Sequence, residues 1–182
     1  MNNSDLIALC IRMQNGDQSA FETLYATCYV PLFRFICRIT GGNRDEAEDI
    51  TQQAFLRVGK AISTFKTHEG NFVGWLYSIA RHLVYDQARK NKRLIVFNES
   101  HEEVPAETGS PEAVVLQKEQ TTLLNSALSS LSLHEQELLL LRYWNDFDAK
   151  QISLIVGKTH VAVRKELSRA LQKLRRKINE QS

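Results

Sequence analysis

Proline, cysteine and long apolar runs are all scarce in this chain, and each shortage removes a class of answer. There are three prolines, and Pro105 and Pro111 sit close together, so only Pro31 interrupts an apolar-periodic segment; it predicts a kink or a fresh helix start there. Three cysteines, Cys10, Cys28 and Cys37, have no CxxC spacing and lie in apolar-periodic segments. They read as reduced, buried thiols, not as a disulfide framework or a metal site. No apolar run approaches the roughly 18 residues that cross a bilayer, so no membrane insertion is expected. The start, MNNSDLIALCIRM, has no basic segment ahead of an apolar core, so no signal peptide is expected either. A cytoplasmic protein is the expectation. HExxH spacing, a phosphate-binding loop and a nucleophile motif are all missing. His68-Glu69, His101-Glu102-Glu103 and His134-Glu135 read as solvated surface, so no enzymatic activity, cofactor or metal is expected.

Net charge is also slight, at +2, but it is unevenly laid out. Between Asn98 and Leu116 there is no Lys or Arg, while Glu99, Glu102, Glu103, Glu107 and Glu112 are present. From Lys158 to Lys177 the order reverses: Lys158, Arg164, Lys165, Arg169, Lys173, Arg175, Arg176 and Lys177 face the single acid Glu166. Such segregation concerns partners more than fold.

What the chain has in abundance is helical periodicity. Apolar residues recur at spacings of three and four from Ser4 to Gln14, from Asp17 through Phe21, Leu24, Tyr25 and Cys28, and from Asn43 through Ala47, Ile50, Ala54, Phe55, Val58 and Ile62. Asn43 with Glu46, Ser132 with Glu135, and Asp148 with Gln151 are helix-start signatures. Gly41-Gly42 and Gly157 are stops. Between 97 and 111 the periodicity vanishes, which predicts an acidic, flexible linker. The expectation is an all-α protein: a helical unit over 1–96, the linker, and a second unit over 112–182. In the second unit a short helix, Gly157 and a basic helix opening at Thr159 form a helix-turn-helix pattern.

The stretch from Phe65 to Arg93, FKTHEGNFVGWLYSIARHLVYDQARKNKR, organises the first unit. A polar loop, Lys66 to Gly70, lies between Phe65 and Phe72. A helix follows whose stripe Phe72, Trp75, Leu76, Ile79, Ala80, Leu83 and Val84 predicts a core face, with Trp75 inside it. Arg81, Arg89, Lys90, Lys92 and Arg93 make its far end basic. Aromatics beside a basic helix suit base stacking and phosphate binding.

DEAEDITQQAFLRVGKAISTF, GWLYSIARHLVYDQARK and LSLHEQELLLLRYWNDFDAKQISLIVG, in this order, resemble group 4 sigma factors, the extracytoplasmic-function type. The resemblance implies a specificity subunit of bacterial RNA polymerase. It implies docking on the β′ clamp helices through Asp45, Asp49, Gln52, Gln53, Phe55 and Leu56, and a further contact with the β flap. It implies reading and melting of a −10 promoter element by Phe65, Lys66, His68, Asn71, Phe72, Arg81, His82, Arg89, Lys90 and Arg93. It implies −35 contacts from Lys158, Thr159, His160, Arg164, Lys165, Ser168 and Arg169. Promoter DNA, core polymerase and an anti-sigma or other recruiting protein are the expected partners.

The chain departs from the family pattern in two places. His82 stands where most members have Asn. VGKTHVAVRKELSRA replaces a motif close to LGISVGTVKSRLHRA, so Lys158 takes an apolar turn position and Glu166 a basic one. A carboxylate beside phosphate is repulsive, although it can accept from a cytosine amino group, so an atypical −35 contact is expected. The competing reading is a helix-turn-helix regulator with an unrelated helical sensor half, which leaves QQAFLRV and GWLYSIAR without a role.

Overall fold

Seven helices of the described residues begin where a polar side chain satisfies an amide that the helix itself leaves open. In the computed structural model, which describes residues 2–67, 70–90, 123–124 and 126–181, Asn2 and Asp5 form a reciprocal capping box on α1 (Asn3–Gln14). Asp17 caps α2 (Gln18–Ile39). Asn43 accepts the Glu46 amide at 3.2 Å to start α3 (Arg44–Ala61). A tight turn, Ile62–Thr64, leads to a loop and α4 (Phe72–Lys90). In the C-terminal part the expected Ser132–Glu135 box opens α5 (Leu133–Leu139), which widens into a π turn over Leu140–Trp144. The expected Asp148–Gln151 box opens α6 (Ala149–Val156). Gly157 closes α6 at a φ of 69°, a conformation that is cheap only for glycine. Thr159 Oγ1 then accepts the Ala162 amide at 3.2 Å at the start of α7 (His160–Gln181). The described residues contain no strand; the fold is all-α.

Of the two expectations at Pro31, a fresh helix start is corrected. Helix α2 runs unbroken from Gln18 to Ile39 with Pro31 inside it, on the exposed side. Residues on either side of Pro31 are tied by rings: Tyr29 lies 5.1 Å from Tyr25 and 6.1 Å from Phe33, centroid to centroid. Phe55 of α3 packs against Tyr25 at 4.7 Å. That packing offsets the amide that proline cannot supply.

Helix α4 sits at the centre because it is buried on two sides. One stripe, Phe72, Leu76, Ala80 and Leu83, joins Leu24, Leu32, Phe35, Ala54 and Phe55 in the core of the first four helices. A second stripe was not anticipated from the sequence: Gly74, Tyr77, Arg81 and Tyr85, spaced by three and four, meet the C-terminal helices. Phe147 packs edge-on against Tyr77 at 4.8 Å. Leu138, Leu141, Ile152, Ile155 and Val163 belong to the same continuous core. The expected linker, 97–111, lies outside the described residues.

Candidate nucleic-acid and polymerase interface

Helix α3 separates its two faces cleanly. Asp45, Asp49, Gln52 and Gln53 are exposed on one side, and Leu56 beside them is 63% exposed. Phe55 is placed differently from the expectation. It is 2% exposed and packed against Tyr25 and Tyr29, so it supports the face from beneath.

The loop ahead of α4 is likewise built from the inside. Phe65 stacks on Trp75 at 4.9 Å and meets Phe72 edge-on at 5.8 Å. Both Phe65 and Phe72 are buried, and their rings pack on each other. Trp75 is half-buried and packs against the core as expected. Gly70 lies so close beneath Phe65 that an added Cβ would come within 2.5 Å of its ring. Gln14, not singled out from the sequence, donates from Nε2 to the carbonyls of Ile62 and Phe65 at 2.8 and 2.9 Å. Asn3 accepts the Phe72 amide at 3.3 Å. Helix α1 therefore fixes both ends of the loop. Asn71 accepts the Gly74 amide at 3.1 Å and caps α4. Lys66 is exposed, and His68 lies outside the described residues.

Along α4 the basic residues have different fates. The His82 ring is exposed, with Nδ1 2.7 Å from the Ser78 carbonyl. A carbonyl only accepts, so Nδ1 carries the proton and Nε2 faces outward as an acceptor when the ring is neutral. Arg89 pairs with Asp86 at the surface, Lys90 is exposed, and Arg93 lies outside the described residues. Arg81 points into the molecule. Its Nε donates to Glu137 Oε1 at 2.7 Å, with the carboxylate fully buried, and its guanidinium lies 4.4 Å over the Tyr85 ring. Tyr85 donates to the other carboxylate oxygen at 3.3 Å. Burial pushes Glu137 up, but His134 and Arg81 outweigh it and hold the carboxyl below its usual range.

In the C-terminal unit Thr159, His160, Arg164, Lys165, Ser168 and Arg169 are all exposed at the start of α7. Val163 and Ala170 turn inward. The two residues that depart from the usual pattern find each other. Lys158 Nζ donates to Glu166 Oε1 at 2.7 Å, and His134 Nε2 is 2.8 Å from Glu166 Oε2. His134 Nδ1 is 3.7 Å from Glu137 Oε2. Flanked by Glu137 and Glu166, His134 is held above its ordinary value; the Lys158 ammonium, chiefly, holds Glu166 below its own. Glu135, the neighbour of His134, closes the capping box and accepts from Lys173 at 2.9 Å. Among the described residues no helix is long and apolar enough to cross a membrane.

Comparison with known families assigns both halves. The sigma-70 region 2 family matches residues 24–94, and the sigma-70 region 4 family matches residues 122–174. The chain belongs to the sigma-70 family. Its relatives place it in the extracytoplasmic-function branch. The ECF RNA polymerase sigma factor BldN of Streptomyces coelicolor is 30% identical over 96% of this chain and 66% of its own length. SigE of Mycolicibacterium smegmatis is 29% identical over 88% of this chain and 63% of its own. SigD of Mycobacterium tuberculosis is 28% identical over 98% and 86%. The chain thus spans about two thirds of the length of the first two. In structure it is similar to CnrH, solved with the cytosolic domain of CnrY (TM-score 0.70, 22% identity, 97% of this chain and 98% of that one). It is also similar to the sigma factor RpoE from Bartonella quintana, solved with the anti-sigma factor NepR (TM-score 0.66, 22% identity, 87% and 96%). At these identities the structural likeness establishes the fold.

Proposed function

We propose that the protein is a sigma factor that docks on core RNA polymerase and directs promoter-specific initiation, with no catalysis of its own. The observation that carries the reading is the exposed face of α3. Asp45, Asp49, Gln52, Gln53 and Leu56 form one surface, and that surface lies within the segment matching sigma-70 region 2. These residues take the β′ clamp helices. Lys66, Asn71, His82, Arg89 and Lys90, with His68 and Arg93, hold and read the −10 strand; Phe65 and Phe72 set the shape of the loop. His82 Nε2 offers an acceptor to a base edge when neutral and a donor when protonated. Opening a duplex costs a few kcal/mol per unstacked base, which pocket contacts to the extruded base offset. Arg164, Lys165, Ser168 and Arg169, with Thr159 and His160, contact the −35 duplex; Lys158 does so once released from Glu166. The β flap and an anti-sigma or recruiting protein complete the set of partners. A regulator with an unrelated sensor half is disfavoured by the region 2 match.

The test is binding to core polymerase without DNA, followed by runoff transcription. The full chain cosediments with core enzyme and yields discrete start sites on a genomic fragment library, and Leu56→Asp removes both. A chain that binds promoter DNA but never core enzyme is a regulator and refutes the reading.

A further inference from the structure

Helix α1 lies ahead of the segment that matches sigma-70 region 2, and the function proposed for that segment leaves α1 without a role. Its packing is nonetheless firm: Leu6, Leu9 and Cys10 belong to the same buried core as α4. Asn3, Ile7, Cys10 and Gln14 follow at spacings of four, three and four, which sets them along one face of a helix. Cys10 anchors the middle of that face at 0% exposure, and the two polar ends reach the two ends of the loop before α4. Gln14 Nε2 donates to the carbonyls of Ile62 and Phe65, so both of its N–H groups are engaged. Asn3 Oδ1 accepts the Phe72 amide.

These contacts fall on particular peptide units. A peptide group is planar, so the Phe65 carbonyl turns with the amide of Lys66, and the Phe72 amide turns with the carbonyl of Asn71. Gln14 thereby fixes the backbone plane that leads into Lys66, and Asn3 fixes the one that leaves Asn71. Both Lys66 and Asn71 are proposed to meet the −10 strand. Asn71 Oδ1 already accepts the Gly74 amide, which leaves Nδ2 as the group it can offer a base. We infer that Gln14 and Asn3 are positioning residues of the −10 reader: α1 is a strut that presets the peptide planes at both ends of the loop, and base discrimination depends on it. The inference rests on the sigma-factor reading and gives a part in it to a helix outside the matched region. A loop tied at one end would still hold a strand, because phosphate contacts carry no sequence information and tolerate movement. Hydrogen bonds to base edges tolerate only about 0.5 Å in donor–acceptor distance, so discrimination is the property that loose ends would lose.

The test uses the full chain bound to core polymerase, with a single-stranded DNA library randomised across the −10 positions and sequenced after capture. The quantity read is the affinity ratio between the preferred sequences and the unsorted library. Gln14→Met keeps the length and loses both donors, and Asn3→Leu loses the acceptor. Each shrinks that ratio by at least about fivefold, the size of one neutral hydrogen bond, while affinity for the unsorted library and for core polymerase stays the same. Gln14→Lys keeps donors and Asn3→Asp keeps an acceptor, so both retain the ratio. An unchanged ratio in Gln14→Met and Asn3→Leu overturns the inference. A ratio that falls in the conservative variants as well, or falls together with core binding, assigns the two residues to the fold alone and overturns it too. A wild-type chain that captures no core polymerase overturns the sigma-factor reading, and the positioning role with it.

Discussion

Glu166 offers the most discriminating perturbation, because two graded changes make two different predictions. Its carboxylate accepts from Lys158 at 2.7 and 2.9 Å and faces His134 at 2.8 Å. Glu166→Gln removes one negative charge beside the α7 N-terminal turn and releases Lys158, adding about one phosphate contact. Glu166→Arg releases Lys158 and adds a cation of its own, for about two. Each phosphate neutralised steepens the log–log salt dependence of duplex binding by about 0.9. The slope is therefore expected to steepen by about 0.9 in the first variant and about 1.8 in the second. Affinity at moderate salt should rise about tenfold for Glu166→Arg, equivalent to about 1.4 kcal/mol. The stability cost is small, since the Lys158–Glu166 pair is partly exposed and such pairs contribute about 0.2–1 kcal/mol. Fluorescence anisotropy with a random-sequence duplex, titrated with salt, reads both quantities, because the term is independent of base sequence. Equal slopes and affinities across the wild type and both variants refute the idea that Glu166 withholds this surface from DNA.

Three further outcomes separate the roles of neighbouring residues. Phe55→Ala should cost about 3–5 kcal/mol in urea unfolding, whereas Leu56→Asp should change stability by no more than about 0.5 kcal/mol; similar values for the two refute the assignment of one to the core and the other to the surface. Gly70→Ala forces a methyl group against the Phe65 ring and the Lys66 carbonyl, at 2.5 and 2.6 Å. It should destabilise by about 1–3 kcal/mol and lower affinity for a single-stranded −10 library; a neutral result means the loop is not packed from within. His134 is raised above its ordinary value, so its contribution is complete below that value and is lost as pH rises through the raised one. Glu137 and Glu166 are lowered, so theirs is present above the usual carboxylate range and lost as pH falls through the lowered values. The network is thus strongest at mildly acidic pH, and Tm should fall as pH rises through the raised His134 value. His134→Gln should flatten that fall, and an unchanged profile removes His134 from the network.

The local signals were legible because they are local. Caps at Asn43, Ser132, Asp148 and Thr159 and the stop at Gly157 depend on a few adjacent residues, and each forms. Pro31 misled because its cost is repaid by Tyr25, Tyr29, Phe33 and Phe55, which no window around residue 31 contains in full. The packing of Phe65 and Phe72 was not legible for a related reason: an aromatic beside a polar loop reads the same whether its partner is a base or another ring, and Trp75 packs against both. Gln14 was invisible because its acceptors lie some fifty residues away.

Arg81 shows the limit most clearly. On a basic helix end an arginine reads as a phosphate contact. Its partner here, Glu137, carried a faint signal: a carboxylate at the edge of the apolar run Leu138–Leu141, where a charge stays buried only if it is paired. Gly74, Tyr77, Arg81 and Tyr85 carried a second, as a stripe too polar to be core and too regular to be chance. Taken together those two signals demand that something cover α4, and the C-terminal helices do. The same argument joins Lys158 to Glu166. Two departures from one motif, each unfavourable for DNA or for a turn when considered singly, are compatible once they neutralise one another. Substitutions that look like damage to a binding surface therefore make physical sense as one ion pair formed within the turn and helix that carry them.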